Sequence, residues 1–274
     1  MTLSECFLNE KIDLFAALPI GEVPVRLPRL LDGAPWASSV VFAAIPYYTA
    51  GNTDANLARF ARVRDYHAFA QSLTDRLTAC LPGSRAVGFA DHSPFDEIEG
   101  ACRAGLGVRG DNGLLITEKY GSYVFLYALV TDLAVGALLA EGIPQGTGEV
   151  KSCTHCGACR SVCPGSCIGL DRATCASAIS QKKGSLTAAE ADILRRAPYA
   201  WGCDACQDVC PYTKAAIAAG TIETEIPYFR NRVLGRVTPA AIEAMTEEEY
   251  KSYAFGWRKK DVLIRNLTIR EGKS

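Results

Sequence analysis

Two cysteine runs constrain this chain more than any other feature. The first is Cys153-x2-Cys156-x2-Cys159-x3-Cys163-Pro164, and the second is Cys203-x2-Cys206-x3-Cys210-Pro211. Thiolates at two-residue gaps wrap successive corners of an iron–sulfur cube, and the proline after the last cysteine turns the chain away. Structural zinc also uses Cys-x2-Cys pairs, but it does not need a four-cysteine run followed by a second run. In two-cluster proteins the fourth cysteine of a run crosses to the other cluster. That logic assigns Cys153, Cys156, Cys159 and Cys210 to one [4Fe-4S] cluster. It assigns Cys163, Cys203, Cys206 and one outlying cysteine to the second. Cys167 and Cys175 are both candidates for the outlying ligand, and spacing does not choose between them. His155 sits between two ligands, either as an exposed filler or as a hydrogen-bonding neighbour that tunes the cluster. A chain with two such clusters moves electrons one at a time.

The rest of the composition narrows the setting. Of 274 residues, 49% are hydrophobic and 22% charged, and the formal net charge is -1. The chain can bury a core, and no global basic field advertises nucleic acid. Seven of twelve cysteines lie in the two runs, unlike a disulfide framework, and thiolate clusters call for a reducing compartment. Cys6, Cys80 and Cys102 lie outside the cysteine-rich region and read as buried, inert thiols. The N-terminus lacks a basic segment followed by an apolar one. The most apolar stretch, Tyr123 to Ala140, carries Asp132 near its middle, so it reads as a strand, turn and helix rather than a membrane span. The expected setting is cytoplasmic, without a membrane partner, and as a monomer.

Along the chain, residues 1–30 read as a helix plus an irregular lead-in. Residues 38–45 form a short apolar strand pattern stopped by Pro46. Leu57 to Leu81 has apolar residues at helical spacing, and Ala86 to Ala90 reads as a second strand ending at Asp91. Pro94 opens a helix through Ala104, with Asp96, Glu97 and Glu99 where the helix dipole favours anions. Residues 114–116 and 123–130 read as two further strands. The expectation is an α/β domain over 1–147, a two-cluster, ferredoxin-like α+β module over 148–236 and a helical tail over 237–274. Residues 143–148 are the expected linker. Gly105-x-Gly107-x2-Gly110 spells a dinucleotide fingerprint, but it follows a helix and leads into a strand, the reverse of the nucleotide-binding context.

Several segments together resemble one family. They are Asp65-Tyr66-His67, Asp91-His92-Ser93-Pro94 with Glu97, and Ala104 to Asn112. Gly121-Ser122-Tyr123 with Thr131-Asp132, the first cysteine run, and Gly202-Cys203-Asp204-x-Cys206-Gln207-x2-Cys210-Pro211 complete the set. From about Val40 to Asn266 they resemble epoxyqueuosine reductase, the cobalamin- and iron–sulfur-dependent enzyme that finishes queuosine modification of tRNA. The resemblance implies an N-terminal domain of cobalamin-binding type and Asp91 as the acid that protonates the substrate during epoxide opening. Burial would have to raise the pKa of Asp91 for that role; a cap for the helix opening at Pro94 is its plainer alternative. The resemblance also makes Cys175, after Leu170-Asp171-Arg172-Ala173-Thr174, the outlying cluster ligand. It sets Ser177, Gln181, Lys183 and Asp204 beside the corrin, and it implies a flavodoxin- or ferredoxin-type electron donor. This chain departs from the family at Val108, at Gly110-Asp111 (where the family has Gly-Lys) and at Ile98. It ends soon after Leu263-Ile264-Arg265-Asn266, where the family continues into helical repeats that cradle the tRNA anticodon arm. The expected substrate is therefore that tRNA or a smaller modified nucleoside. A non-catalytic electron carrier and a reductive dehalogenase-like corrinoid enzyme are the alternatives.

Overall fold

A computed structural model describes residues 1–51 and 53–272, so Lys273 and Ser274 of the expected tail lie outside the described residues. The chain forms two compact units, Met1–Pro46 with Tyr66–Thr154, and Tyr47–Asp65 with His155–Ser274. The boundary falls inside the first cysteine run, after Thr154, rather than at residue 147.

The first unit is built on a four-stranded sheet in the order β1 (Leu14–Pro19), β2 (Ser39–Pro46), β6 (Val124–Thr131), β3 (Ala86–Phe89). Every pairing is antiparallel. A two-residue ladder joins β4 (Val108–Arg109) to β5 (Leu115–Ile116). β2 is buried along its whole length, which is why it reads as a continuous apolar run. Phe42 of that strand meets Phe95 edge-on at 5.7 Å in the core that also holds Val40, Ala101, Cys102 and Val130. β1 was not expected, because its Phe15-Ala16-Ala17-Leu18 run is too short to stand out between a helix and a proline-rich stretch. It pairs with β2 in register from Leu14 opposite Ala44 to Pro19 opposite Ser39. The expected linker at 143–148 also belongs to this sheet edge: Ala17 N–H donates to Pro144 O and Gly146 N–H to Ala17 O, each at 2.8 Å. The glycine-rich run leads from the Glu97–Arg103 helix into β4, as its sequence context implied.

Cys6 and Cys80 form a disulfide across 74 residues of sequence, which corrects their reading as inert thiols; Cys102 alone remains a free buried thiol outside the cysteine-rich region. Cys80 directly follows the Tyr66–Ala79 helix, which packs on the Leu3–Asn9 helix that carries Cys6. Sequence periodicity carries no sign of that packing.

The second unit contains short helices and, among the described residues, no strand beyond isolated bridges. The expected α+β character of the cluster module is therefore corrected to helical, since its glycine- and cysteine-rich loops lack the alternation that a strand needs. The C-terminal segment does not stand apart as a tail. Its Lys260–Arg270 helix enters a core of Leu57, Trp201, Phe255, Leu263 and Leu267. Asn266, fully buried, donates to Ser180 O at 2.7 Å and to Ala200 O at 2.9 Å. Asn56 exchanges two bonds with the backbone of Val237, at 2.8 and 3.0 Å. These pairings hold Tyr47–Asp65 in this unit, and the helix expected over Leu57 to Leu81 is instead two, Arg59–Arg62 and Tyr66–Ala79. Among the described residues no helix is long and apolar enough to cross a membrane.

Candidate functional site

In the first unit, Asp91 lies just beyond β3 with φ at +64°, a left-handed conformation uncommon for aspartate. It does not cap the following helix. Asp96 does so, accepting Glu99 N–H at 3.2 Å, while Arg26 and Arg109 pair with the Asp96 carboxylate. Asp91 is thereby left to other partners. Tyr66 O–H donates to Asp91 Oδ2, and His67 Nε2 lies 3.6 Å from the same oxygen. Tyr66 opens the Tyr66–Ala79 helix, and its ring stacks on Phe125 of β6 with centroids 4.1 Å apart, fixing where the hydroxyl points.

These partners set the electrostatics. Hydrogen bonding from His67, followed by Tyr66, holds the Asp91 carboxyl below its ordinary value although desolvation opposes this. The raised pKa expected for Asp91 is therefore corrected: the carboxylate is the favoured form. The raised carboxyl is Glu97, which burial pushes up to about 8, with Asp91 and Asp96 adding like charge. From sequence, Glu97 was an anion complementing a helix dipole. The chain path that buries it was invisible there. Both carboxyls line a cavity of about 200 Å³, walled by Leu114, Ser122 and Phe125.

In the second unit, Cys163, Cys167, Cys175 and Cys203 gather. Cys163 Sγ and Cys167 Sγ are 3.5 Å apart, and Cys175 and Cys203 lie near enough to interact electrostatically with this pair. Asp171 caps the turn Arg172–Thr174 by accepting Ala173 N–H at 2.9 Å, and that turn delivers Cys175. The two segments pass so closely that a Cβ on Gly165 would fall 1.7 Å from Thr174 O. Both cysteines left open by spacing are thus near Cys163. Cys206 lies on the Ala205–Asp208 helix, which packs on the Ala158–Ser161 helix that carries Cys159. The thiol chemistry and the gathering of these residues fit iron–sulfur ligation.

Of the residues expected at a corrin, Ser177 is half-buried on the Ala176–Ser180 helix, Gln181 is half-buried after it, and Lys183 is exposed. Gln181 Nε2 donates to Ser177 O at 3.1 Å, leaving its amide oxygen available. Asp204 is different. It is fully buried, accepts Arg59 N–H at 2.7 Å and Gln207 Nε2 at 3.0 Å, and burial pushes its pKa to about 6. Its carboxylate is occupied in anchoring the loop between Cys203 and Cys206.

Residues 152–213 match the family model of a 4Fe-4S double cluster binding domain. The chain is 30% identical to an epoxyqueuosine reductase of Listeria monocytogenes, over 95% of this chain and 70% of the relative. It is likewise 30% identical to one from Synechocystis, over 85% of this chain and 82% of the relative. Among solved structures, the epoxyqueuosine reductase of Streptococcus thermophilus shares the fold with a TM-score of 0.75 at 21% identity, covering 99% of this chain and 80% of that one. An epoxyqueuosine reductase solved with an epoxyqueuosine-modified tRNA-Tyr stem loop gives 0.77 at 20% identity, covering 98% and 80%.

Proposed function

Since the chain belongs to the epoxyqueuosine reductase family of iron–sulfur oxidoreductases, we propose that it reduces an epoxide to an alkene with cobalamin and two [4Fe-4S] clusters, using Asp91 as proton donor. The observation that carries this reading is the Asp91–Tyr66–His67 constellation, with Asp91 and Tyr66 lining a partly open cavity. The substrate class is epoxyqueuosine, in tRNA or as a nucleoside, and a cavity of about 200 Å³ admits the epoxide-bearing ring and little more.

Cys153, Cys156, Cys159 and Cys210 would hold one cluster, and Cys163, Cys175, Cys203 and Cys206 the other. Ser177, Gln181 and Lys183 offer a hydroxyl, an amide and an ammonium, a donor set that suits the amide-fringed edge of a corrin. Asp204 supports the cluster loop from within. When bound, the clusters supply single electrons at low potential and the cobalt supplies the bond-breaking chemistry. A flavodoxin- or ferredoxin-type carrier in the cytoplasm would reload them.

The chain's own residues handle orientation and the proton. Tyr66, fixed by its stack on Phe125, aims Asp91 at the cavity. His67 beside Asp91 lets the pair share one transferable proton: protonated imidazole with carboxylate, or neutral imidazole with carboxylic acid. As negative charge builds on the epoxide oxygen, that oxygen becomes the stronger base and takes the proton from Asp91. A lowered resting pKa is compatible with this role because His67 stores the proton.

The test is anoxic reconstitution with iron, sulfide and cobalamin, followed by turnover of epoxyqueuosine in a tRNA stem loop and as free nucleoside. Asp91→Asn should lose at least about a hundredfold in rate, within the usual range for a general acid, with iron and cobalt content unchanged. Failure of the wild type to bind corrinoid, or unchanged turnover in D91N, overturns the reading.

A further inference from the structure

Reducing an epoxide to an alkene consumes two electrons and two protons, and the oxygen leaves as water. The one-electron iron–sulfur carriers account for the electrons, and the Asp91–His67 pair accounts for one proton. This inference rests on that proposed reaction and concerns the other proton.

Glu97 begins the Glu97–Arg103 helix and lines the same cavity as Asp91. Its carboxyl lies close enough to the backbone of Asp91 and the hydroxyl of Ser93 for both to favour its charged form. Its Oε1 is sealed from solvent and, among the described residues, has no hydrogen-bond partner. The surroundings offer no compensating cation. From its own segment Glu97 faces Asp91 and Asp96, both acidic. Arg26 and Arg109 are committed to Asp96, and His67, from the helix that also bears Tyr66, is committed to Asp91. Leu114, Leu115 and the β6 residues Val124 to Leu126 are apolar, and Ser122 carries no charge. An ionised Glu97 would leave a charged oxygen unpaired in an apolar wall beside two carboxylates, a costly arrangement. Its affinity for a proton, pushed up to about 8, follows from that burial.

We propose that Glu97 is the second proton source of this pocket, reloading Asp91 after Asp91 has protonated the substrate oxygen. The first O–H bond forms as one C–O bond breaks. A proton then moves from the Glu97 carboxylic acid to the Asp91 carboxylate, and the second O–H bond forms as the second C–O bond breaks. Water and the alkene result, and solvent returns a proton to Glu97 by way of the exposed Asp91 carboxylate. Both carboxyls line the one cavity, so Glu97 acts through Asp91.

Glu97→Gln separates proton storage from structure, because the amide keeps the size of the carboxyl and an oxygen acceptor toward Asp91 and Ser93. Infrared difference spectroscopy of the wild-type protein across pH 6 to 10 (about two units either side of the titration) should show a protonated-carboxyl band lost near pH 8, and E97Q should lack it. In turnover, E97Q should lose about ten- to a hundredfold in kcat with KM unchanged. The fall in wild-type rate above about pH 8 should disappear from its profile. Absence of the band, or a wild-type kcat and pH profile in E97Q, overturns the proposal. If E97Q fails to fold, the titration of the wild-type band decides alone. If the wild type turns over no epoxide while the band is present, the reductase reading falls and the assignment of Glu97 as a proton store stands.

Discussion

Gly202, immediately before Cys203, offers a quantitative test of how the cluster loop is held. It adopts φ of +71°, and a Cβ added there would lie 2.4 Å from Phe60 Cε1 and 2.6 Å from Ala58 Cβ. Its N–H donates to the buried Ser180 Oγ at 3.0 Å, so the backbone has little room to retreat. Gly184 has nearly the same φ, +72°, with nothing within 4 Å of its added Cβ. An alanine at either position incurs the left-handed penalty of about 1–2 kcal/mol. Only at Gly202 does overpacking add about 1–3 kcal/mol. Gly202→Ala should therefore cost about 2–5 kcal/mol in total and Gly184→Ala about 1–2 kcal/mol. At roughly 2–4 °C per kcal/mol, G202A should melt several degrees below G184A. The unfolded-state entropy lost on replacing glycine by alanine is common to both and cancels. The assay is thermal unfolding of the anoxically reconstituted proteins with iron quantified in parallel, and G202A should also lose iron. A G202A protein with the melting temperature and iron content of G184A refutes the reasoning.

Other outcomes follow from particular contacts. Cys175→Ser should remove about half of the bound iron, and Cys167→Ser should leave iron unchanged, because only one outlying cysteine completes a four-ligand cluster; equal losses would refute the choice of Cys175. Asn266→Ala leaves the carbonyls of Ser180 and Ala200 without donors and should cost about 2–6 kcal/mol in denaturant melts, from about 1–3 kcal/mol for each buried orphan. Glu97 gives stability a pH dependence with a definite sign. Between its ordinary value of 4.5 and its folded value of about 8, the native state keeps a proton that the unfolded state has released, so stability falls as pH rises across that window; E97Q should flatten the decline. Non-reducing peptide mapping should recover Cys6 linked to Cys80. Reduction should lower stability by up to about 4 kcal/mol, since the bond closes a long loop.

The cysteine spacing alone pointed to two clusters, because ligand geometry is local and two-residue gaps leave few other uses. The buried run of β2 and the helix before Gly105 were legible for the same reason: period and composition act over neighbouring residues. Three things were not legible. The disulfide joins residues 74 apart, and Tyr47–Asp65 joins the second unit through Asn56 and Val237; neither pairing leaves a periodic trace. The third is the exchange of roles between two carboxyls. In sequence, Asp91 looked like the residue needing a raised pKa and Glu97 like an anion complementing a helix dipole. Tertiary structure reversed this by bringing Tyr66 and His67, some 25 residues away, onto Asp91, and by burying Glu97 Oε1 beside Asp91 and Asp96. Sequence determined which chemical groups the chain carries and which cysteines share a loop. Which carboxyl keeps its proton depends on desolvation and on partners distant along the chain, and only folding supplies those.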